Sequence, residues 1–274
     1  MKLYLSVDME GITGLPDYTY VDSIQHNYER ARRIMTQETN YVVDSAFKTG
    51  CEHVLVNDSH SKMNNLLIDE LHKEAELITG DVKPLSMMQG IDGSFSGAMF
   101  IGYHARAANF GVMSHSMIHA VRHFYINDQP LGELGMNAYV AGYYGVPIIL
   151  VSGDDQACKE AEELIPGVYT VAVKESISRS AVKSLTPQKA GERLQKKVKE
   201  ALTFSDKIEP LTPPDQPLLT IEFNNYGQTE WAHLMPGTEI TPGTTKVSFQ
   251  AKDILEAYQA MLVMTELAMH TKFS

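Results

Sequence analysis

The chain is poor in the features that mark several large protein classes. Of its 274 residues only two are cysteine and one is tryptophan. Cys51 and Cys158 cannot make a disulfide framework and are expected as reduced thiols, which points to a cytoplasmic protein. No stretch approaches the roughly 18 apolar residues of a membrane span. The N-terminal apolar run in MKLYLSVDMEG is broken by Asp8 and Glu10, so it is not a secretory signal. Positive charge is scarce: 23 Lys and Arg stand against 34 Asp and Glu, a net charge of −11. That balance argues against nucleic acid as the main partner, because phosphate binding needs a basic face. There is no P-loop, no G-x-G-x-x-G, no H-E-x-x-H and no G-x-S-x-G, so nucleotide, zincin and α/β-hydrolase readings lose their usual support. What is present is ordinary for a soluble globular protein, with 43% apolar and 21% charged residues and ample material for a core.

The first part of the chain alternates strand and helix signals. Short apolar runs at 2–7, 53–56, 98–103, 146–151 and 168–173 read as buried strands. Between them, 28–47, 135–144, 154–164 and 187–202 show helical spacing, the first stopped by Gly50. Residues 119–127, the turn formers Asn127, Asp128 and Pro130, and Leu131-Gly132 read as a hairpin. Such alternation implies an α/β fold, a mostly parallel sheet flanked by helices. Residues 208–217 hold four of the twelve prolines and read as a linker. Beyond it, strands at 218–223 and 246–250 and a helix at 252–270 predict a smaller C-terminal α+β unit. The expected division is an α/β domain over 1–207 and that smaller unit over 208–274.

The chemistry is expected where the strands end, since ligand sites in open parallel sheets form outside the carboxyl ends of the strands. The first run ends in Asp8-Met9-Glu10, the second in Asn57-Asp58-Ser59-His60, the third in His104. Asp8 and Glu10 are two apart and share a face in extended backbone. Glu133, after the hairpin and before a helix, can turn to the same edge. Each residue has a plainer explanation: Asp8 as a cap, Glu10 as a solvated charge, the histidines as satisfied core or surface groups, Glu133 as a first-turn helix carboxylate. Together they are a costly coincidence, because buried carboxylates need a partner or a cation. Three carboxylates and two imidazoles suit Zn²⁺, with Mn²⁺ or Co²⁺ as alternatives. Five ligands exceed the three of a catalytic zinc and fit two ions if one carboxylate bridges, with Asp8 as the bridge candidate. Two ions about 3.5–4 Å apart can share a hydroxide and polarise a substrate carbonyl.

A second cluster, Gly111–His119, lies on a loop after the third run. His115, beside but not among the ligands, suits proton transfer or oxyanion stabilisation, or is an exposed loop histidine. His119 and His123 are read as structural, Asp154 as a helix cap and reserve site residue, and Asn224, Asn225 and Trp231 as weak candidates for a substrate wall. Rival functions remain open on the residues alone: a binuclear metallophosphoesterase, for which Lys62, Lys83 and Arg106 would have to face the site rather than solvent, and a non-catalytic, metal-stabilised oligomeric binding protein.

The segments SVDMEGITG, VNDSHSKMNN, FIGYHA, MSHSM, GELGMNAYVAGYYGVP, VSGDD and WAHLMPGTEI resemble the D-aminopeptidase family of binuclear zinc peptidases over essentially the whole chain. The resemblance implies an aminopeptidase acting on short peptides that begin with a D-residue, such as D-Ala-D-Ala. It further implies that Asp8 bridges two zinc ions per subunit, that Glu10 and His60 complete one and His104 and Glu133 the other, and that His115 is the catalytic histidine. It also implies a homo-oligomer, a ring-like decamer with sites facing an internal channel.

Overall fold

In the computed structural model, which describes residues 1–271, two sheets share the chain. The first half runs β1 (Lys2–Val7), α1 (Tyr28–Lys48), β2 (His53–Asp58), β3 (Glu76–Ile78) and β4 (Gly97–Tyr103). A hairpin of β5 (Val121–Ile126) and β6 (Gln129–Leu131) follows, then α2 (Glu133–Tyr143), β7 (Ile148–Asp154), α3 (Asp155–Leu164), β8 (Tyr169–Ser178), β9 (Ala181–Ser184) and α4 (Pro187–Thr203). The tail holds β10 (Leu218–Phe223), α5 (Tyr226–Ala232), β11 (Thr238–Ile240), β12 (Lys246–Gln250) and α6 (Ile254–Met269).

The larger sheet has the order β3-β2-β1-β4-β7-β8-β9, parallel except for the β8–β9 pair. Its central strands β1, β4 and β7 are buried almost end to end, as the unbroken apolar runs require of strands covered on both faces. From β1 the chain moves one way to β2 and β3, then returns to β4 on the other side. Right-handed crossovers that travel in opposite directions put α1 and α3 on opposite faces. The point where the order reverses, between β1 and β4, is where such sheets open a crevice at their carboxyl ends. The α/β class expected from the sequence is the class observed.

The smaller sheet has the order β11-β12-β10-β5-β6 and is antiparallel. The tail strands expected as part of a separate unit therefore share their sheet with the 121–131 hairpin. Pro130 lies in β6 rather than in the turn, tolerable because β6 is an edge strand with its unpaired side free of ladder bonds. Three strands also run further than the sequence predicts: β2 continues through Asn57 and Asp58, β7 through Asp154 and β8 through Ser178. No helix among the described residues is long and apolar enough to cross a membrane.

At the reversal point the backbones come unusually close. Gly11 N donates to Gly102 O at 2.7 Å, and Asp8 N to Ile101 O at 2.8 Å. A Cβ on Gly11 would run into the backbone of Gly102 and Tyr103, and a Cβ on Gly153 would meet the same Tyr103 carbonyl from the β7 side. The end of β4 is thus clamped between two glycines, which sets where the next residue, His104, emerges. Gly11→Ala is expected to destabilise the fold by about 2 kcal/mol or more, because backbone and not a movable side chain must yield. Chemical denaturation of the variant beside Gly14→Ala, whose added Cβ meets nothing within 4 Å but whose φ of +76° strains any side chain, separates this clash from conformational strain.

Candidate active site

The carboxyl ends of β1, β2 and β4 and the first turn of α2 deliver Asp8, Glu10, His60, His104 and Glu133 to one place, and the loop after β4 adds His115. His60 Nδ1 lies 3.4 Å from Asp8 Oδ1 and 2.9 Å from Glu10 Oε2. His104 Nε2 lies 3.4 Å from Asp8 Oδ2 and 3.5 Å from Glu133 Oε2. Asp8 stands between the two histidines, one oxygen toward each. His115 Nε2 is 3.9 Å from Glu10 Oε1 and 3.8 Å from Glu133 Oε1, and its ring stacks on His104 with centroids 4.3 Å apart and planes 7° apart. All five carboxylate and imidazole groups named first are buried.

The far nitrogen of each histidine is tied to a backbone carbonyl. His60 Nε2 donates to Val21 O at 2.7 Å, His104 Nδ1 to Ala105 O at 3.0 Å, and His115 Nδ1 to Met113 O at 3.0 Å. A carbonyl only accepts, so these nitrogens carry the proton, and in the neutral ring the other nitrogen presents a lone pair. Three lone pairs therefore face carboxylate oxygens. Asp8 Oδ2 and Glu10 Oε2 are buried with no hydrogen-bond donor, although Glu10 Oε2 is within 2.9 Å of His60 Nδ1. We read that short contact as two groups aimed at a shared cation rather than at each other. A donor nitrogen fixed by a backbone carbonyl is the usual support of a metal-ligating histidine.

The electrostatics point the same way. Burial pushes the Asp8 carboxyl up to about 7, and neighbouring Glu10 adds to the rise. Burial acts against ionised Glu10 and Glu133 too, but the surrounding histidines outweigh it and hold both below the ordinary carboxylate range. Burial would discharge His60 and His104, yet Glu10 and Glu133 respectively lead the groups that hold them well above the ordinary histidine range. Burial and the charge on His104 push His115 the opposite way, to about 4. The cluster favours positive charge at His60 and His104, either a proton or a metal ion. Two overlapping sets, Asp8-Glu10-His104 and His104-His115-Glu133, bring ligand atoms within 4.8 Å of one another. Geometry alone thus also groups His115 with possible ligands.

Several contacts hold the cluster in shape. Lys174, buried in β8, donates to the carbonyls of Glu10, Ile12 and Leu15 and pins the segment after β1. Asp58 accepts from Asn65 N at 2.6 Å and Leu66 N at 2.7 Å, closing the loop that carries His60. Beneath the site, Ser6 Oγ lies 2.7 Å from Tyr103 Oη, Asn137 Nδ2 donates to Tyr103 Oη at 2.8 Å, and Tyr258 donates to Asn137 Oδ1 at 2.8 Å, which links β1, β4, α2 and α6. None of Lys174, Asp58 or this network was singled out from the sequence. Lys174 alone leaves a trace there, a lysine directly after the apolar run 168–173.

A cavity of about 700 Å³ opens on the cluster. Asp8, Glu10, His60, His115 and Glu133 lie on its wall, with Ser59–Met63, Asp81–Lys83 and the α6 residues Leu262, Thr265 and Met269. His119, read as structural on a strand, instead precedes β5, lines this cavity and a smaller one of about 440 Å³, and packs edge-on to Tyr18 at 4.8 Å. Asp154 caps α3 by accepting from Gln156 N and Ala157 N, and lines neither cavity. Asn224 lines the smaller cavity, Asn225 caps α5, and Trp231 lines neither. Of the three basic residues required by a phosphoesterase, Lys62 and Lys83 line the larger cavity and Arg106 does not. Lys83 is buried, not a surface charge.

Known proteins resemble this chain over its length. The Peptidase_M55 family model, described as D-aminopeptidase, matches residues 1–263. The chain is 70% identical over 273 residues to a D-aminopeptidase of Bacillus subtilis (strain 168), covering 100% of each. It superposes with a TM-score of 0.99 and 69% identity, over 100% of both chains, on a solved structure described as the Zn-dependent D-aminopeptidase DppA from Bacillus subtilis, a self-compartmentalizing protease. With the family model matched over residues 1–263 and these relatives matched over the full length in sequence and fold, the chain belongs to the D-aminopeptidase family of peptidases.

Proposed function

We propose that this protein is a zinc-dependent aminopeptidase that removes an N-terminal D-residue from short peptides such as D-Ala-D-Ala. The observation that carries the reading is the set of three backbone-tethered histidines whose free nitrogens face buried carboxylates, two of whose oxygens, Asp8 Oδ2 and Glu10 Oε2, have no donor. The donor set of oxygens and imidazole nitrogens fits zinc. Glu10 and His60 would hold one ion, His104 and Glu133 a second, and Asp8, with one oxygen toward each histidine, would bridge them. When bound, a zinc pair supplies Lewis acidity, polarising a carbonyl and easing the deprotonation of water. Residues 1–207 supply every one of these groups, which supports treating that part as the catalytic domain. A cytoplasmic homo-oligomer, with the relative's self-compartmentalising habit, completes the reading.

In this reading His115 is not a ligand. Its Nδ1 proton is committed to Met113 O, and burial keeps the ring neutral near pH 7. Its Nε2 therefore acts first as an acceptor, taking a proton from the attacking water, and then returns that proton to the leaving amine. Carboxylates near the substrate's free amine fix cleavage at the N-terminus. The α6 residues on the cavity wall exclude water and shape the space for the first side chain.

Three outcomes test the proposal. Hydrolysis of D-Ala-D-Ala is expected to vanish on chelation and return with Zn²⁺; activity untouched by chelation overturns the zinc reading. Asp8→Asn is expected to lose both ions by elemental analysis while retaining native circular dichroism, whereas His115→Ala keeps both and loses about a hundredfold or more in kcat. Two metals in Asp8→Asn would refute the bridge, and a fully active His115→Ala the proton role. The third outcome is a pH effect on the metal-free protein. Its His60 and His104 sit above, and Asp8 near 7 also above, their unfolded values. Groups raised in the fold stabilise it below their unfolded pKa, about 6.5 for histidine, and lose that stabilisation as pH rises through the folded pKa. Thermal unfolding of the stripped protein is therefore expected at a temperature lower by about 3 °C or more at pH 9 than at pH 6, with Zn²⁺ reducing the difference. Parallel curves with and without zinc would contradict it.

A further inference from the structure

Lys83 sits on the wall of the larger cavity and is only 8% exposed. Its ammonium donates to Asn57 Oδ1 at 2.6 Å and Asp58 O at 2.5 Å. Both acceptors are neutral carbonyl oxygens. An ammonium has three donors, so one is left. A buried cation is costly unless an anion accompanies it, yet among the described residues no carboxylate lies within ion-pair distance of this one. Lys62, the other lysine on the wall, is exposed and already 3.5 Å from Asp81. The Lys83 ammonium is also less tightly enclosed by protein than that of Lys174, which spends all three donors on carbonyls. Lys83 is thus a held, under-partnered positive charge beside the space where substrate goes.

The cavity wall is mostly acidic: Asp8, Glu10 and Glu133 line it together with Asp22, Asp81 and Glu266, and Lys83, held at the end of β2, is the buried cation among them. A short peptide carries a cationic amine at one end, which suits the carboxylates, and a carboxylate at the other, which among these groups suits the buried cation. We propose that Lys83 binds the terminal α-carboxylate of the peptide substrate, and so selects short free-acid peptides over amidated or blocked ones. The idea rests on the aminopeptidase reading of the same site and adds the group that recognises the other end of the substrate. Asn57 and Asp58 O are positioning partners: they hold the ammonium on the wall and leave its last donor for the ligand.

The test uses the full-length, zinc-loaded protein and two substrates, D-Ala-D-Ala and its C-terminal carboxamide, which differ only in the charge that Lys83 would meet. The wild type is expected to favour the free acid in kcat/KM by about tenfold or more, the scale of a charge-assisted hydrogen bond. In Lys83→Met that preference should collapse toward unity through a higher KM for the acid, with zinc content unchanged, and Lys83→Arg should restore part of it. A purely structural lysine would lower both substrates by one factor and leave their ratio alone. Equal rates of the wild type on acid and amide, or an unchanged ratio in Lys83→Met, overturn the carboxylate site while the aminopeptidase reading stands. If Lys83→Met does not fold, the wild-type ratio alone decides. A wild type that cleaves neither peptide sinks both.

Discussion

Negative charge buried at the end of β1 and in the first turn of α2, where the tips of β2 and β4 meet it, is the constraint around which the rest of the molecule is arranged. Asp8, Glu10 and Glu133 are each nearly inaccessible, and two of their oxygens find no donor. Isolated, such groups would cost several kcal/mol each. Apart from the Met117 N–H that donates to Glu133 Oε1, the structure does not relieve them with protein donors. It surrounds them with imidazoles turned so that acceptor faces acceptor, a contact tolerable only around a shared positive charge. Every neighbouring device serves that arrangement: the backbone carbonyls of Val21, Ala105 and Met113 fix the rings, and Lys174 fixes the segment that carries Glu10.

The sheet makes the convergence possible. Because β1 is flanked by β2 on one side and β4 on the other, three strand ends stand side by side although their residues are about fifty positions apart in sequence. The close approach at Gly11, Gly102 and Gly153 then sets the spacing to backbone accuracy. A site built on strand ends and a first helical turn is stiffer than one built on loops. The tail contributes differently: Tyr258 of α6 braces the floor through Asn137, and other α6 residues wall the cavity, so this helix shapes access while the tips of the larger sheet, with α2 and the loop after β4, supply the reactive groups.

Much of this was legible in the sequence for physical reasons. Unbroken apolar runs ending in Asp-x-Glu, Asn-Asp-Ser-His and His announce buried parallel strands with polar tips, and the topology rule says where the tips meet. The α/β class and the meeting of Asp8, Glu10, His60, His104, Glu133 and His115 follow from that pattern and from the family resemblance. The misses share a cause: they depend on which non-neighbours touch. No periodicity tells that the 121–131 hairpin will join the tail strands, that Pro130 will lie on an edge, or that His119 will face two cavities. Lys83 was read as solvated because lysine usually is. Its burial depends on Asn57 and Asp58, 26 and 25 residues away.

Three histidines within one cluster are driven to opposite protonation by their surroundings, and that separation is itself informative about roles. His60 and His104 each face two carboxylates closely, and their rings favour positive charge. His115 stands farther from the same carboxylates and stacks flat on His104, so a charge on one ring opposes charge on the other. A neutral imidazole with its Nε2 lone pair open to the cavity is suited to take and return a proton, and a charged or metal-loaded one is not. Pairs of like residues pushed apart in pKa commonly mark a division of labour at a reactive centre. Here the division needs no difference in residue type: burial, a longer reach to the shared carboxylates (3.8 Å against 3.5 Å to Glu133, 3.9 Å against 2.9 Å to Glu10) and a parallel stack between two rings set His115 apart.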